Sequence, residues 1–193
     1  MALWDDLVTE IGDITNRSEL TAEIAICLRQ AIRNAHRSHK FWKDLAVVSV
    51  TGLSADSVPQ TFSIATKLPN FRQVAYVKSG SAEKYFKQVT IEDLLDTYGI
   101  ARTDVYYAYG DTFVVRPYAA ETSYDVCYYK QPILSPTSAV DSWIASEYRD
   151  VTVAWAASSL LATVGEQEIK SRMDQLTAVG FAQLVQDNVE LDG

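Results

Sequence analysis

The sequence predicts an α+β protein: a helical bundle built from the N- and C-terminal helices, with an antiparallel β-rich sub-domain inserted between them. Apolar residues recur at helical intervals on both sides of the middle, as Leu20, Ile24, Leu28 and Ile32 and again as Ile144, Val151 and Trp155. Between them, from about Ala46 to Ser135, the period falls to two and tyrosine becomes frequent. Within that tract, Asp104-Val-Tyr-Tyr-Ala-Tyr-Gly-Asp-Thr-Phe-Val-Val-Arg-Pro-Tyr118 sets two β-prone runs around Gly110-Asp111, a dipeptide suited to the positive φ of a hairpin turn. The expected division is a discontinuous helical bundle, 1–43 and 137–193, a β-rich sub-domain, 44–136, and a flexible tail, 187–193.

Taken in order, Leu3, Leu7, Ile11 and Ile14 mark a short first helix ending near Arg17. Ser18 is placed to cap a second helix running to about His39, with Leu20, Ile24, Cys27, Leu28, Ala31 and Ile32 on one face. Glu19 and Glu23 open it, and Arg29, Arg33, His36, Arg37 and Lys40 close it. That charge order complements a helix dipole. Short strands are expected at Val47–Thr51, Thr61–Ala65 and Val74–Val77, separated by Gly52, Pro59, Pro69 and Gly80. Thr90 and Asp93 make a capping-box-like pair opening a small helix that closes by Gly99. The hairpin and the run Ser123–Pro132 then form an antiparallel meander. Ser138 and Asp141 open a helix in which Val140, Trp143, Ile144, Tyr148, Val151 and Trp155 share a face as far as Gly165. The last helix, Glu166 to about Asp187, is expected to bury Ile169, Met173, Leu176, Phe181 and Leu184.

With 193 residues, 48% of them hydrophobic, the chain can bury a real core. Its net charge of -8 argues against broad affinity for phosphate backbones, which relies on Lys and Arg displacing counterions. No apolar run is long enough to span a membrane, and Met1-Ala-Leu-Trp-Asp-Asp6 lacks the basic and apolar regions of a secretion signal. The expectation is a protein kept in cytoplasm-like conditions, with Cys27 and Cys127 as reduced, buried thiols.

Chemistry-bearing motifs are sparse. His36 and His39 lie three apart among Arg and Lys residues that repel a cation, so a solvated basic helix end is expected rather than a metal site. No Gly-x-Ser-x-Gly elbow or activated cysteine supports nucleophilic catalysis, and Lys78-Ser-Gly-Ser81 lacks the spacing of a phosphate-binding loop. Neither catalytic nor cofactor-binding residues are assigned. The tyrosines alternate faces along their strands, so Tyr107, Tyr109 and Tyr128 are candidates for exposed aromatic contacts, with glycan or other ligand stacking as one use. Arg29, Arg33 and Arg37 recur every four residues and form one stripe, either a solvated face or a candidate contact with an acidic neighbour, such as another subunit or a docking partner, or with DNA. Past the last helix, Asp187, Val189, Glu190, Leu191 and Asp192 alternate acid and apolar residues, as a segment that orders against a partner would.

Several segments also carry a family likeness: Trp4-Asp-Asp-Leu-Val-Thr-Glu-Ile-Gly12, Arg17-Ser-Glu-Leu-Thr-Ala-Glu-Ile24, Leu68-Pro-Asn-Phe71, Tyr109-Gly-Asp-Thr-Phe-Val-Val-Arg-Pro117 and Tyr128-Tyr-Lys-Gln-Pro-Ile-Leu-Ser135. In order and spacing they resemble the head-to-tail adaptor, or connector, proteins of tailed bacteriophages. The resemblance implies a ring, commonly of twelve copies, docked beneath the portal protein and above a tail or nozzle protein, in the virion neck. DNA would pass through it without sequence-specific binding, and assembly would take place in the host cytoplasm. It implies no enzymatic activity and no cofactor. A lumen lined by acid suits a conduit, because it lets DNA slide where a basic one would hold it. The competing expectation is a glycan-binding virion accessory module that uses the tyrosine-rich sheet.

Overall fold

A computed structural model of the chain describes residues 3–53, 59–80, 84–94, 102–118, 121–134 and 140–189. In chain order the elements are α1 (Leu3–Thr15), α2 (Thr21–Ser38), a 3-10 turn (Trp42–Asp44), β1 (Leu45–Thr51), β2 (Gln60–Ser63), α3 (Ile64–Lys67), β3 (Phe71–Ser79) and β4 (Tyr85–Gln88). There follow a second 3-10 turn (Glu92–Leu94), β5 (Val105–Tyr109), β6 (Thr112–Arg116), β7 (Ser123–Lys130), β8 (Ile133–Leu134), β9 (Val140–Asp141), α4 (Trp143–Glu147), α5 (Arg149–Val164) and α6 (Gln167–Asn188). The fold is mixed α+β, in two compact units. One comprises residues 1–44 and 131–193, the other 45–130.

In the helical unit, α5 packs against α1, α2 and α6. Small residues make this possible: Ala154, Ala156, Ala157 and Ser158 are buried beside Val153, Leu160 and Leu161, so the helix is covered on almost every side. Leu7 and Ile11 of α1 and Ile24, Leu28 and Ile32 of α2 complete the same apolar cluster. Each such buried side chain contributes about 1.5–3 kcal/mol relative to exposure. Gly165, in the left-handed region at φ +83°, ends α5 and donates its N–H to Leu161 O at 3.0 Å, turning the chain into an antiparallel α5–α6 hairpin. The long helix expected from Ser138 is in fact two. Val140–Asp141 pairs with Ile133–Leu134, Ser142 caps α4 through Ala145 N–H at 3.2 Å, and the chain breaks at Tyr148 before α5. Ser138 lies outside the described residues, and α2 starts at Thr21 without a side-chain cap.

The second unit is a curled seven-stranded sheet in the order β1-β7-β3-β4-β5-β6-β2. Gly110, at φ +55°, turns β5 into β6 as the hairpin signal requires, with Tyr109 opposite Thr112. The expected meander stops there. β7 does not continue beside β6 but lies between β1 and β3, and the pairing of β4 with β5 is parallel. Thr61–Ala65 is also cut short: Ser63 caps α3 through Thr66 N–H, and Asp111 Oδ1 accepts the N–H of Ala65 at 2.7 Å, so Ile64 and Ala65 become helical. The core of this unit is aromatic, with Phe62 and Phe113 stacked at 4.9 Å and Tyr106 stacked on Phe113 at 5.5 Å. Tyr124 is fully buried and donates to Gln60 Oε1, whose amide in turn donates to Glu121 O at 2.6 Å.

Candidate functional site

The arginine stripe lies on α2. Arg33 and Arg37 are exposed and Arg29 is half-buried, its Nε bonded to Ala25 O at 3.1 Å and its guanidinium 6.0 Å from the Trp4 ring. Arg29 and Arg33 line a hollow with Ile26, Gln30 and Leu134, while Arg37 Nη2 donates to Gln131 Oε1 at 3.3 Å. The stripe therefore stands on a rigid helix whose opposite face is fully packed. That suits electrostatic docking better than chemistry.

The tyrosine surface is composed differently from the expected one. Tyr107 and Tyr109 stack side by side at 6.1 Å with their ring planes 20° apart, Tyr109 being exposed and Tyr107 half-buried. Tyr76 and Tyr85, exposed on neighbouring strands, meet edge to face at 5.4 Å. Tyr128 does not belong with them. It is 1% exposed, tilts against Phe71 and donates to Pro69 O at 3.0 Å, because its parity on β7 places it opposite Ala46 and Val74 on the core side.

At the C-terminus the helix ends about where the sequence placed it, at Asn188, so the first two residues assigned to the tail are helical. Asp187 and Asn188 are still in α6; Asp187 accepts from the Tyr148 hydroxyl at 3.1 Å, and Asn188 Nδ2 donates to Tyr148 Oη at 2.8 Å. Val189 pairs its backbone with Phe41 and packs on a cluster that includes Phe41 and Leu184. A free tail thus cannot start at Asp187, and Glu190, Leu191 and Asp192 lie outside the described residues.

One constellation was not legible as a unit in the sequence. His36 Nδ1 lies 2.9 Å from Asp44 Oδ1, His36 Nε2 lies 2.9 Å from Ser142 Oγ, and Trp143 Nε1 donates to Asp44 Oδ1 at 2.8 Å. Serine, histidine and aspartate stand in the order of a hydrolase triad. Their setting differs, since the three are 5%, 2% and 4% exposed and the serine oxygen already caps α4. These distances fit one hydrogen-bond assignment, in which Nδ1–H donates to Asp44 and Nε2 accepts from the Ser142 hydroxyl. The set ties the end of α2, the turn before β1 and the start of α4 together, and His36 is not the solvated residue expected. A signal for it existed, because Ile24, Leu28, Ile32 and His36 form one four-residue series along the buried face. Elsewhere, burial and then the charge of Glu23 push the Cys27 thiol up, away from reactivity. Among the described residues no group of His, Cys, Asp or Glu is arranged to hold a metal ion, and no helix is long and apolar enough to cross a membrane.

Among the described residues, the helical unit and the sheet present charged and aromatic surface features, and the triad-like set is closed to solvent. A family model described as SU10 adaptor protein matches residues 3–190. The chain belongs to that family, a phage head-to-tail adaptor family. No curated protein matches it in a sequence search.

Proposed function

We propose that the chain is a structural virion protein, a ring-forming adaptor of the neck that bridges portal and tail and lines the channel through which DNA passes. The family match over residues 3–190 carries this reading. In it the helical domain, 1–43 with 137–193, is a bundle that builds the ring and bears the β-rich sub-domain, 44–136. A net charge of -8 suits a channel that must not hold DNA. Arg29, Arg33 and Arg37 meet the neighbouring copy or the portal. The segment past Val189 meets the portal, with Leu191 as its apolar contact and Glu190 and Asp192 setting register. The ring assembles in the host cytoplasm and carries out no catalysis.

Portal-bearing heads mixed with the full chain should acquire a ring visible by negative-stain microscopy. Removing residues 190–193, and not the tethered Asn188 and Val189, should leave secondary structure intact and abolish attachment. Heads that take up the shortened chain at normal occupancy remove the tail from the reading; heads that gain no ring from the full chain overturn the reading itself. The stacked Tyr107–Tyr109 pair favours a second reading, sugar stacking on the sheet. Glycan-array binding without any portal binding would select it.

A further inference from the structure

Contrary to the sequence expectation, α6 hides little of its apolar surface. Ile169, Leu176 and Val179 are 36%, 52% and 72% exposed. With Arg172 and Gln183, also exposed, they recur at intervals of three and four, the spacing of a seam that packs against another helix. The buried side of α6, through Met173 and Leu184, is already occupied within its own unit. The seam is therefore left over.

The outer face of α2 carries a matching row. Glu23, Ile26, Gln30, Arg33 and Arg37 are all exposed, recur at the same spacing and lie opposite the buried face of that helix. Ile26 is 50% exposed, and between α2 and α5 an apolar hollow beside it is lined by Cys27, Leu160 and Thr163.

The directions of the two helices follow from their tethers. Arg17, just before α2, is bonded to Glu166, just before α6, at 2.8 Å, and Phe41, just after α2, pairs with Val189, just after α6. α2 and α6 thus run the same way, with the antiparallel α5 packed against both. In a ring of twelve, successive copies differ by a rotation of about 30°, too little to reverse a helix, so α2 of one copy meets α6 of the next in parallel.

The geometry points to a head-to-tail contact in which the outer face of α2 on one copy packs on the outer face of α6 of a second copy; this rests on the ring reading above. With Ile26 level with Leu176, Glu23 reaches Arg172, Gln30 lies beside Val179, Arg33 beside Gln183, and Arg37 beside Asp187. Opposite charges meet at both ends and apolar residues meet in the middle. The reversed alignment that keeps the apolar contact, Ile26 on Val179 and Gln30 on Leu176, sets Arg33 against Arg172. Such a contact uses a different surface on each side, which is how identical copies close into a ring rather than a symmetric pair.

Two sets of variants test it, on the full chain with and without portal-bearing heads. Reversal at one site, Glu23→Arg or Arg172→Glu, should weaken ring formation by on the order of tenfold while the monomer keeps its circular dichroism spectrum. The double exchange in one chain should restore it. Ile26→Cys combined with Leu176→Cys should give, on mild oxidation of assembled rings, a ladder of covalent oligomers that neither single cysteine gives. Rings that form normally from both single reversals, or that yield no ladder, remove this interface and leave the ring standing. A wild-type chain that stays monomeric under both conditions removes the ring and the interface together.

Discussion

At the scale of single residues, three positions bear distinct physical loads. Gly180 lets α6 approach α5: a β-carbon there would lie 2.5 Å from Val151 Cγ2. Alanine gains about 1 kcal/mol in helix propensity, yet the overlap costs about 1–3 kcal/mol. Gly180→Ala should therefore lower stability in chemical denaturation, and Val151→Ala added to it should recover part of the loss. A Gly180→Ala chain more stable than wild type would contradict the packing. His36 holds two buried partners, and His36→Ala leaves the Asp44 carboxylate and the Ser142 hydroxyl each short of one bond, a loss of about 2–4 kcal/mol. Ser142→Ala should cost less, about 1 kcal/mol for the cap plus the unpaired imidazole nitrogen. Equal effects from the two would mean that the histidine is not the hub. The Tyr124 hydroxyl titrates well above the ordinary tyrosine range, first because it is buried and second because Glu121 is near. Above about pH 10 the unfolded chain releases a proton that the folded chain keeps, so stability falls as pH rises. Tyr124→Phe should flatten that alkaline decline; an unchanged slope would place its cause elsewhere.

Among the elements, what could be read from sequence was what local chemistry determines. The β5–β6 hairpin was legible because Gly110 supplies its own turn, and the end of α5 because Gly165 takes a left-handed conformation. The place of β7 was not, since period two marks a strand without naming its neighbours. β4 escaped notice because only Phe86 of its four residues is buried. Ile169 and Leu176 were assigned to the core on periodicity, which cannot tell a face packed within the chain from one left for a partner. Of the site, the arginine row was visible as spacing on one helix, whereas the His36–Asp44–Ser142 set joins residues far apart in the chain and needed the fold.

For the molecule as a whole, charge is the property an assembly would read first. The chain carries 25 acidic and 17 basic residues, so three arginines in one row on α2 are conspicuous. Reversing Arg29, Arg33 and Arg37 together should cost little stability, since Arg33 and Arg37 are exposed and Arg29 gives up its place over the Trp4 ring, and should impair assembly in a way that high salt does not mend. Size-exclusion profiles and virion yields that match wild type would reduce the row to solvated surface.

The pairing of β1 with β7 has a further consequence. These strands are the first and last of the inserted unit, and Leu45 lies directly opposite Tyr129. When the sheet forms, it draws together the points where the chain leaves and rejoins the helices, closing a span of about 85 residues whose closure otherwise costs roughly 4 kcal/mol of chain entropy. On the ribosome, α1 and α2 emerge long before the α5 they pack against, and cannot complete their core until the insert has passed. The sheet thus serves as the clasp that sets the timing: strand amides should gain protection before those of α2 and α5 in pulse-labelled hydrogen exchange during refolding, and helices protected first would show that the two ends find each other without it.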